Sequence, residues 1–275
     1  MEQLTEAQKQ VLAVFLAVGL LYVFARIAYE YFAKERFTWF NVLHPVRQIS
    51  ASERNFISSF LLPYEQFNAN QRKTFLKRFA WFKSKKPFVF YGNKEHREQI
   101  KSYVAASAIL LTMGMRSFRF EKSISRIIIY PNKYYSKISR NHHIGEYNPN
   151  LRILVFSAED LEKGFKIPND NRNLGIHEVA HALMFEAGKA TTWEARRFKV
   201  GLIRLRKLFD KPEFQERLLH SDYFRDYGKT NFAEFFAVMI ENFVESPQAF
   251  RSNFPALYET VQRMLNFDFD KPNES

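Results

Sequence analysis

Two histidines four residues apart, His177 and His181, with a glutamate directly after the first, carry the clearest chemical signal in this chain. The stretch reads Asn173-Leu-Gly-Ile-His-Glu-Val-Ala-His-Ala-Leu183, an instance of H-E-x-x-H. On a helix of about 3.6 residues per turn, positions i and i+4 lie one above the other. Both imidazoles can then aim at a single point roughly 2.0–2.1 Å away, the usual Zn–N distance. Glu178, one step round the helix, can meet a metal-bound water without binding the metal. Zinc lowers the pKa of such a water towards about 7, where a carboxylate suffices as general base. Leu174, Ile176, Val179, Ala180 and Leu183 are apolar, which predicts a buried helix with its histidine face opening on a cleft. The plainer alternative is a core helix with two hydrogen-bonded histidines, but burying three polar groups is costly unless each is paired.

A catalytic zinc usually takes three protein ligands and a water, so one ligand must come from elsewhere. A metzincin continuation needs Gly at 184 and His at 187, and the chain has Met184 and Ala187. The other common solution is a glutamate from a later helix. Glu234 stands in Asn231-Phe-Ala-Glu-Phe-Phe-Ala-Val-Met-Ile-Glu241, an apolar run in which a lone carboxylate needs a partner. A second reading makes Asn231 a helix cap and Glu234 the return arm of a capping box. Glu241, two turns on and nearly on the same face, is the reserve ligand, while Glu186 is rotated away from the histidines. His142-His143 reads as a solvated pair in a polar loop.

The run Arg152-Ile-Leu-Val-Phe-Ser-Ala-Glu-Asp-Leu161, then HEVAH, then Tyr227-Gly…Asn231-x-Ala-Glu234-Phe-Phe-Ala-Val238 resembles the Mlc titration factor A family. These are bacterial zinc-dependent peptidases with a gluzincin-like site, akin to the anthrax lethal factor catalytic domain. The likeness spans roughly residues 50 to 268. It implies a zincin-like fold, one zinc ion held by His177, His181 and Glu234, and Glu178 as base. It also implies Tyr227 as the hydroxyl that steadies the oxyanion of the tetrahedral intermediate. Family members often carry Asp where this chain has Met184. The resemblance leaves two functions open: hydrolysis of a peptide or protein substrate, or sequestration of a regulatory protein partner such as a transcriptional regulator.

The elements that must position these residues read as an α+β domain, helix-dominated with a small mixed sheet. Strands are expected at Phe88–Tyr91, Ile127–Tyr130 and Ile153–Phe156, from short β-branched or aromatic runs. Helices are expected over 52–82 with a break at Pro63, over 96–113, Trp193–Phe209, 213–219 and 247–266. In zincins the strand before the active-site helix runs along the cleft, so Ile153–Ser157 is expected to pair with extended substrate.

Val11–Ala25 is uncharged and almost wholly apolar. At about 1.5 Å per residue it covers about 22 Å, and extension to Tyr29 gives about 28 Å of a roughly 30 Å hydrocarbon core, with Arg26 snorkelling. Tyr22, Tyr29 and Tyr31 suit an interfacial belt. The leading Glu2, Glu6 and Lys9 and the lack of an A-x-A site argue against a cleaved signal peptide. Arg26, Lys34, Arg36 and Arg47 on the carboxyl side place the catalytic domain in the cytoplasm, on a single-pass anchor in the inner membrane. The expected order is an anchor at 1–32, a linker at 33–50, a zincin-like peptidase domain at 51–268 and a tail at 269–275.

The chain has no cysteine, which excludes disulfides and Cys-based structural zinc. Its net charge of +12 favours an anionic partner. With no nucleic-acid-binding motif in view, a membrane surface is the expected partner and nucleic acid is not. The basic residues Arg72, Lys73, Lys77, Arg78, Lys83, Lys85 and Lys86 are one face that could meet it, and Trp193–Phe209 is a second basic stretch.

Overall fold

A computed structural model describes residues 5–34, 46–92, 95–136 and 141–271, with the backbone alone described for 26–34. The chain divides into two compact units, Met1–Val46 and Arg47–Ser275. In the first, helix α1 (Glu6–Lys34) includes Glu6–Ala25, a stretch long and apolar enough to cross a membrane. Its large apolar side chains from Val11 to Phe24 are exposed. Arg36, most of the expected linker and the side chains of Arg26, Tyr29, Tyr31 and Lys34 lie outside the described residues.

The second unit is helix-rich around one mixed sheet. Strands β1 (Phe88–Phe90), β2 (Arg126–Tyr130), β5 (Gly145–Asn148) and β6 (Ile153–Ser157) form it in the order β1-β2-β6-β5. β1, β2 and β6 are parallel, and β5 runs antiparallel to β6 at the edge. Strands β3 (Tyr134–Ser136) and β4 (Asn141–His143) make a separate antiparallel pair. His142 and His143 therefore lie on a strand, with Tyr135 opposite His142, and not in a loop. Residues 131–152 read as loop because their polar sequence hides three short strands held mainly by backbone pairing.

Apart from the helix at Ala158–Lys166, which was not expected, the helices lie close to their expected positions. α2 (Ala51–Phe60), α3 (Leu62–Glu65) and α4 (Ala69–Lys85) replace the single broken helix, with Pro63 inside the first turn of α3, where a missing N–H costs nothing. α5 (Arg97–Leu110) is followed by α6 (Ala158–Lys166), α7 (Leu174–Lys189), α8 (Trp193–Phe209) and α9 (Pro212–Leu219). A 3₁₀ turn (Asp226–Lys229) leads into α10 (Phe232–Glu245), then α11 (Pro247–Asn253) and α12 (Pro255–Leu265). α7 carries HEVAH and packs on α10, β5 and β6. Phe235 through Val244 on α10 are buried, so this helix forms the floor of the unit.

The expected tail begins later than the sequence suggests. Phe267 and Phe269 are buried, and Phe269 packs edge-on against Phe243. The Asp268 carboxylate accepts from Tyr258, Arg251 and Gln262, which ties the segment down. Residues 272–275 lie outside the described set.

Arg78, Lys83 and Lys86 of the basic 72–86 stretch are held by their own unit, while Lys73 and Lys77 are exposed. Lys86 is buried, and its ammonium donates to the carbonyls of Phe120 and Ile124, 2.8 Å each. Lys83 reaches Glu53, Glu98 and Ser102, and Arg78 caps the carbonyls of Thr112 and Met113. These cations hold loops and helix ends of their own unit.

Candidate metal centre

Helix α7 begins where the Asn173 side chain accepts from the Ile176 N–H, a typical N-cap. That start sets the phase that puts His177, Glu178 and His181 towards α10. Asn231 caps α10 in the same way, accepting from Ala233 and Glu234. The cap reading of Asn231 therefore holds, but the Glu234 carboxylate turns to the histidines and makes no return bond to it. Glu186 is far from this group in role: it accepts from the Lys122 N–H.

Among the described residues, one ligand atom each from His177, His181 and Glu234 lies within 4.8 Å of the others. His177 Nε2 is 3.2 Å from His181 Nε2 and 3.0 Å from Glu234 Oε2, and His181 Nε2 is 3.6 Å from that oxygen. Bonds of roughly 2.0–2.1 Å in a tetrahedron give ligand-to-ligand edges of about 3.3 Å. The three separations bracket that value, so the donor set fits a tetrahedral zinc. The electrostatics agree. Burial opposes a positive charge on His177, but hydrogen bonds to Glu234 and Glu241 outweigh it and lift the ring to about 10. Burial would raise the Glu234 carboxyl, yet the two histidines hold it well below the usual carboxylate range. The pocket favours a cation at this point.

Glu241 is not one of the converging ligands. It is fully buried, and its Oε1 lies 2.7 Å from His177 Nδ1. A carboxylate there accepts from Nδ1–H, so once the ring gives up its second proton, as metal binding requires, the Nε2 lone pair faces the cluster. Arg225 Nη2 donates to the same Oε1, and the Asn173 N–H donates to Oε2 at 2.7 Å. One carboxylate thus joins a histidine of the cluster, the start of α7 and the loop that carries Tyr227. Sequence reasoning missed Arg225 and Asn173 in these roles. The available signal was Glu241 itself, a carboxylate in an apolar helix that had to find donors.

Glu178 is buried beside the cluster. Burial raises its pKa, Glu234 adds to this, and His177, His181 and the Tyr147 backbone oppose it. The Tyr147 N–H comes from edge strand β5. Ser157 N–H bonds the Ile144 carbonyl, so by antiparallel alternation the polar groups of Gly145 and Tyr147 face away from β6. Gly145 allows the close approach: a Cβ there would lie 2.6 Å from Leu174 Cδ1 and 3.1 Å from Glu178 Oε1. Strand β6 cannot accept an extended substrate as expected, because β2 and β5 already pair both its edges. The open edge next to Glu178 belongs to β5.

Tyr227 is half-exposed on the 3₁₀ turn, its ring centroid 5.7 Å from that of His177. Burial and a hydrogen bond to Glu234 push its hydroxyl up to about 12, so it stays a donor at neutral pH. Met184 packs against the core and does not enter the cluster.

Two histidines and a carboxylate converging beside a buried glutamate are the equipment of a metal-dependent hydrolase. The sequence model of the glucose-regulated metallo-peptidase M90 family matches residues 38–265, and the chain belongs to that family. The chain is also 24% identical over 220 residues to slr2042, an uncharacterized protein of Synechocystis sp., a match covering 73% of this chain and 78% of that one.

Proposed function

We propose that the protein is a zinc-dependent peptidase anchored in a membrane by α1, with its catalytic unit on the cytoplasmic side. The observation that carries the reading is the His177–His181–Glu234 cluster with its near-tetrahedral spacing, set beside Glu178. These three residues would hold one zinc ion, which when bound acts as a Lewis acid on the scissile carbonyl and the attacking water. Glu178 takes the proton of that water and hands it to the leaving amine. Its raised pKa suits both halves of the transfer. Tyr227 donates its hydroxyl to the developing oxyanion. An extended peptide adds to the open edge of β5 through Gly145 and the Tyr147 carbonyl, the Tyr147 N–H being held by Glu178, which fixes the main chain without demanding a side-chain sequence.

The anchor rests on the exposed apolar length of α1 and on the basic residues that follow it. The alternative, a protein that only sequesters a regulatory partner, gives Glu178 no task. Treating the full chain with a chelator should abolish peptide cleavage, and added zinc should restore it. Cleavage that persists after complete metal removal would contradict the proposal.

A further inference from the structure

We infer that the outer face of α8 is a docking surface for an anionic phospholipid bilayer. The inner face of this helix is accounted for, with Ala195, Phe198, Gly201, Leu205 and Phe209 buried. The outer face is not. Trp193, Val200 and Ile203 are 77%, 49% and 56% exposed. Arg196, Arg204 and Lys207 lie among them and are exposed, with no side-chain hydrogen bond or ion pair among the described residues. Steps of three and four from Trp193 through Arg196, Val200, Ile203 or Arg204 to Lys207 trace one stripe along the helix.

Apolar anchors interleaved with free cations are the composition of an interfacial helix, and an exposed Trp sits well at headgroup depth. The charge identifies the occupant. Each Lys or Arg near an anionic leaflet is worth about 1 kcal/mol, so three together strengthen adhesion on the order of 100-fold. In the other basic stretch Arg72, Arg78, Lys83 and Lys86 are bound within their own unit, and the exposed Lys73 and Lys77 have no exposed large apolar side chain on their helix. The inference rests on the proposed anchoring, because a tether keeps the second unit at high local concentration beside the bilayer. Docking by α8 would fix which way the cleft faces.

The test uses the full chain in vesicles of brominated phosphatidylcholine, with or without phosphatidylglycerol. Flotation with the vesicles reports the anchor by itself. The Trp193 contribution to fluorescence is the difference between the parent and Trp193→Phe. It should be quenched by the brominated chains when phosphatidylglycerol is present and recover in high salt. Replacing Arg196, Arg204 and Lys207 by Gln should weaken adhesion on the order of 100-fold and return the emission to its value without phosphatidylglycerol. A chain that floats while Trp193 stays unquenched in both lipids overturns the inference and leaves the anchor standing. Shielding of Trp193 in lipid-free detergent that grows with protein concentration would assign the face to a second copy and also overturn it. A chain that floats with neither lipid overturns both readings.

Discussion

Replacing Glu241 by Gln should weaken zinc binding without removing any proposed ligand. The carboxylate uses both oxygens: Oε1 faces His177 Nδ1 and Arg225, and Oε2 faces the Asn173 N–H. Gln keeps one acceptor oxygen and turns an NH₂ towards one of these groups. Turned to Asn173, it opposes two donors and leaves a buried N–H unpaired, a cost of about 1–3 kcal/mol. Turned to His177, it favours the tautomer with the proton on Nε2, the atom that must bind the metal. Either arrangement loosens the hold on His177, and loss of such an outer partner typically costs about 10–100-fold in metal affinity. At about 1.4 kcal/mol per tenfold, the two estimates agree in size. The assay is zinc competition between the full chain and a chromogenic chelator, with circular dichroism confirming that the variant is folded. A folded variant whose zinc dissociation constant equals the parent's would refute the reasoning.

Tyr227→Phe should lower kcat on the order of 10²-fold while zinc content and KM stay near the parent's, as expected for an oxyanion donor; a change in KM alone would assign the ring to substrate binding. Glu245 sets a pH dependence of stability. It takes a hydrogen bond from Asn173 and lines a cavity of about 90 Å³ behind the start of α7, and its Oε2 has no partner. Burial pushes it from the ordinary 4.5 up to about 8, with Glu241 and Asp170 adding to the shift against the Asn173 bond. The folded state therefore holds this proton more tightly than the unfolded chain. That stabilisation is complete below pH 4.5 and is lost as pH rises through about 8. Thermal melts across this window should fall more steeply for the parent than for Glu245→Gln, and parallel slopes would contradict the assignment.

The clustering of His177, His181 and Glu234 was legible in the sequence because histidines at i and i+4 share one helix face, and because Glu234 sits in an apolar run where it needed partners. Most of the helices, though not that at Ala158–Lys166, and the β-branched strands at 126–130 and 153–157 were equally readable from their patterns. Strand β5 was not. Gly145-Glu-Tyr-Asn148 has no apolar alternation, and it is a strand because β6 supplies its hydrogen bonds and α7 packs against it. That one omission put the expected open edge on β6, both sides of which are paired. Glu241 and Arg225 escaped for a related reason: their roles depend on which faces of α7 and α10 meet, and no local pattern records that contact. The buried Phe267 and Phe269 show the same limit near the carboxyl end, where a short polar-looking segment is held by distant aromatic rings.

The most direct measurement is peptide-library cleavage by the full chain and by its Glu178→Gln variant, with zinc determined in both. Zinc is expected in both proteins and turnover only in the parent, because in the proposed mechanism Glu178 moves protons and does not bind the metal. Equal turnover by the two, or absence of zinc from both, would contradict that mechanism.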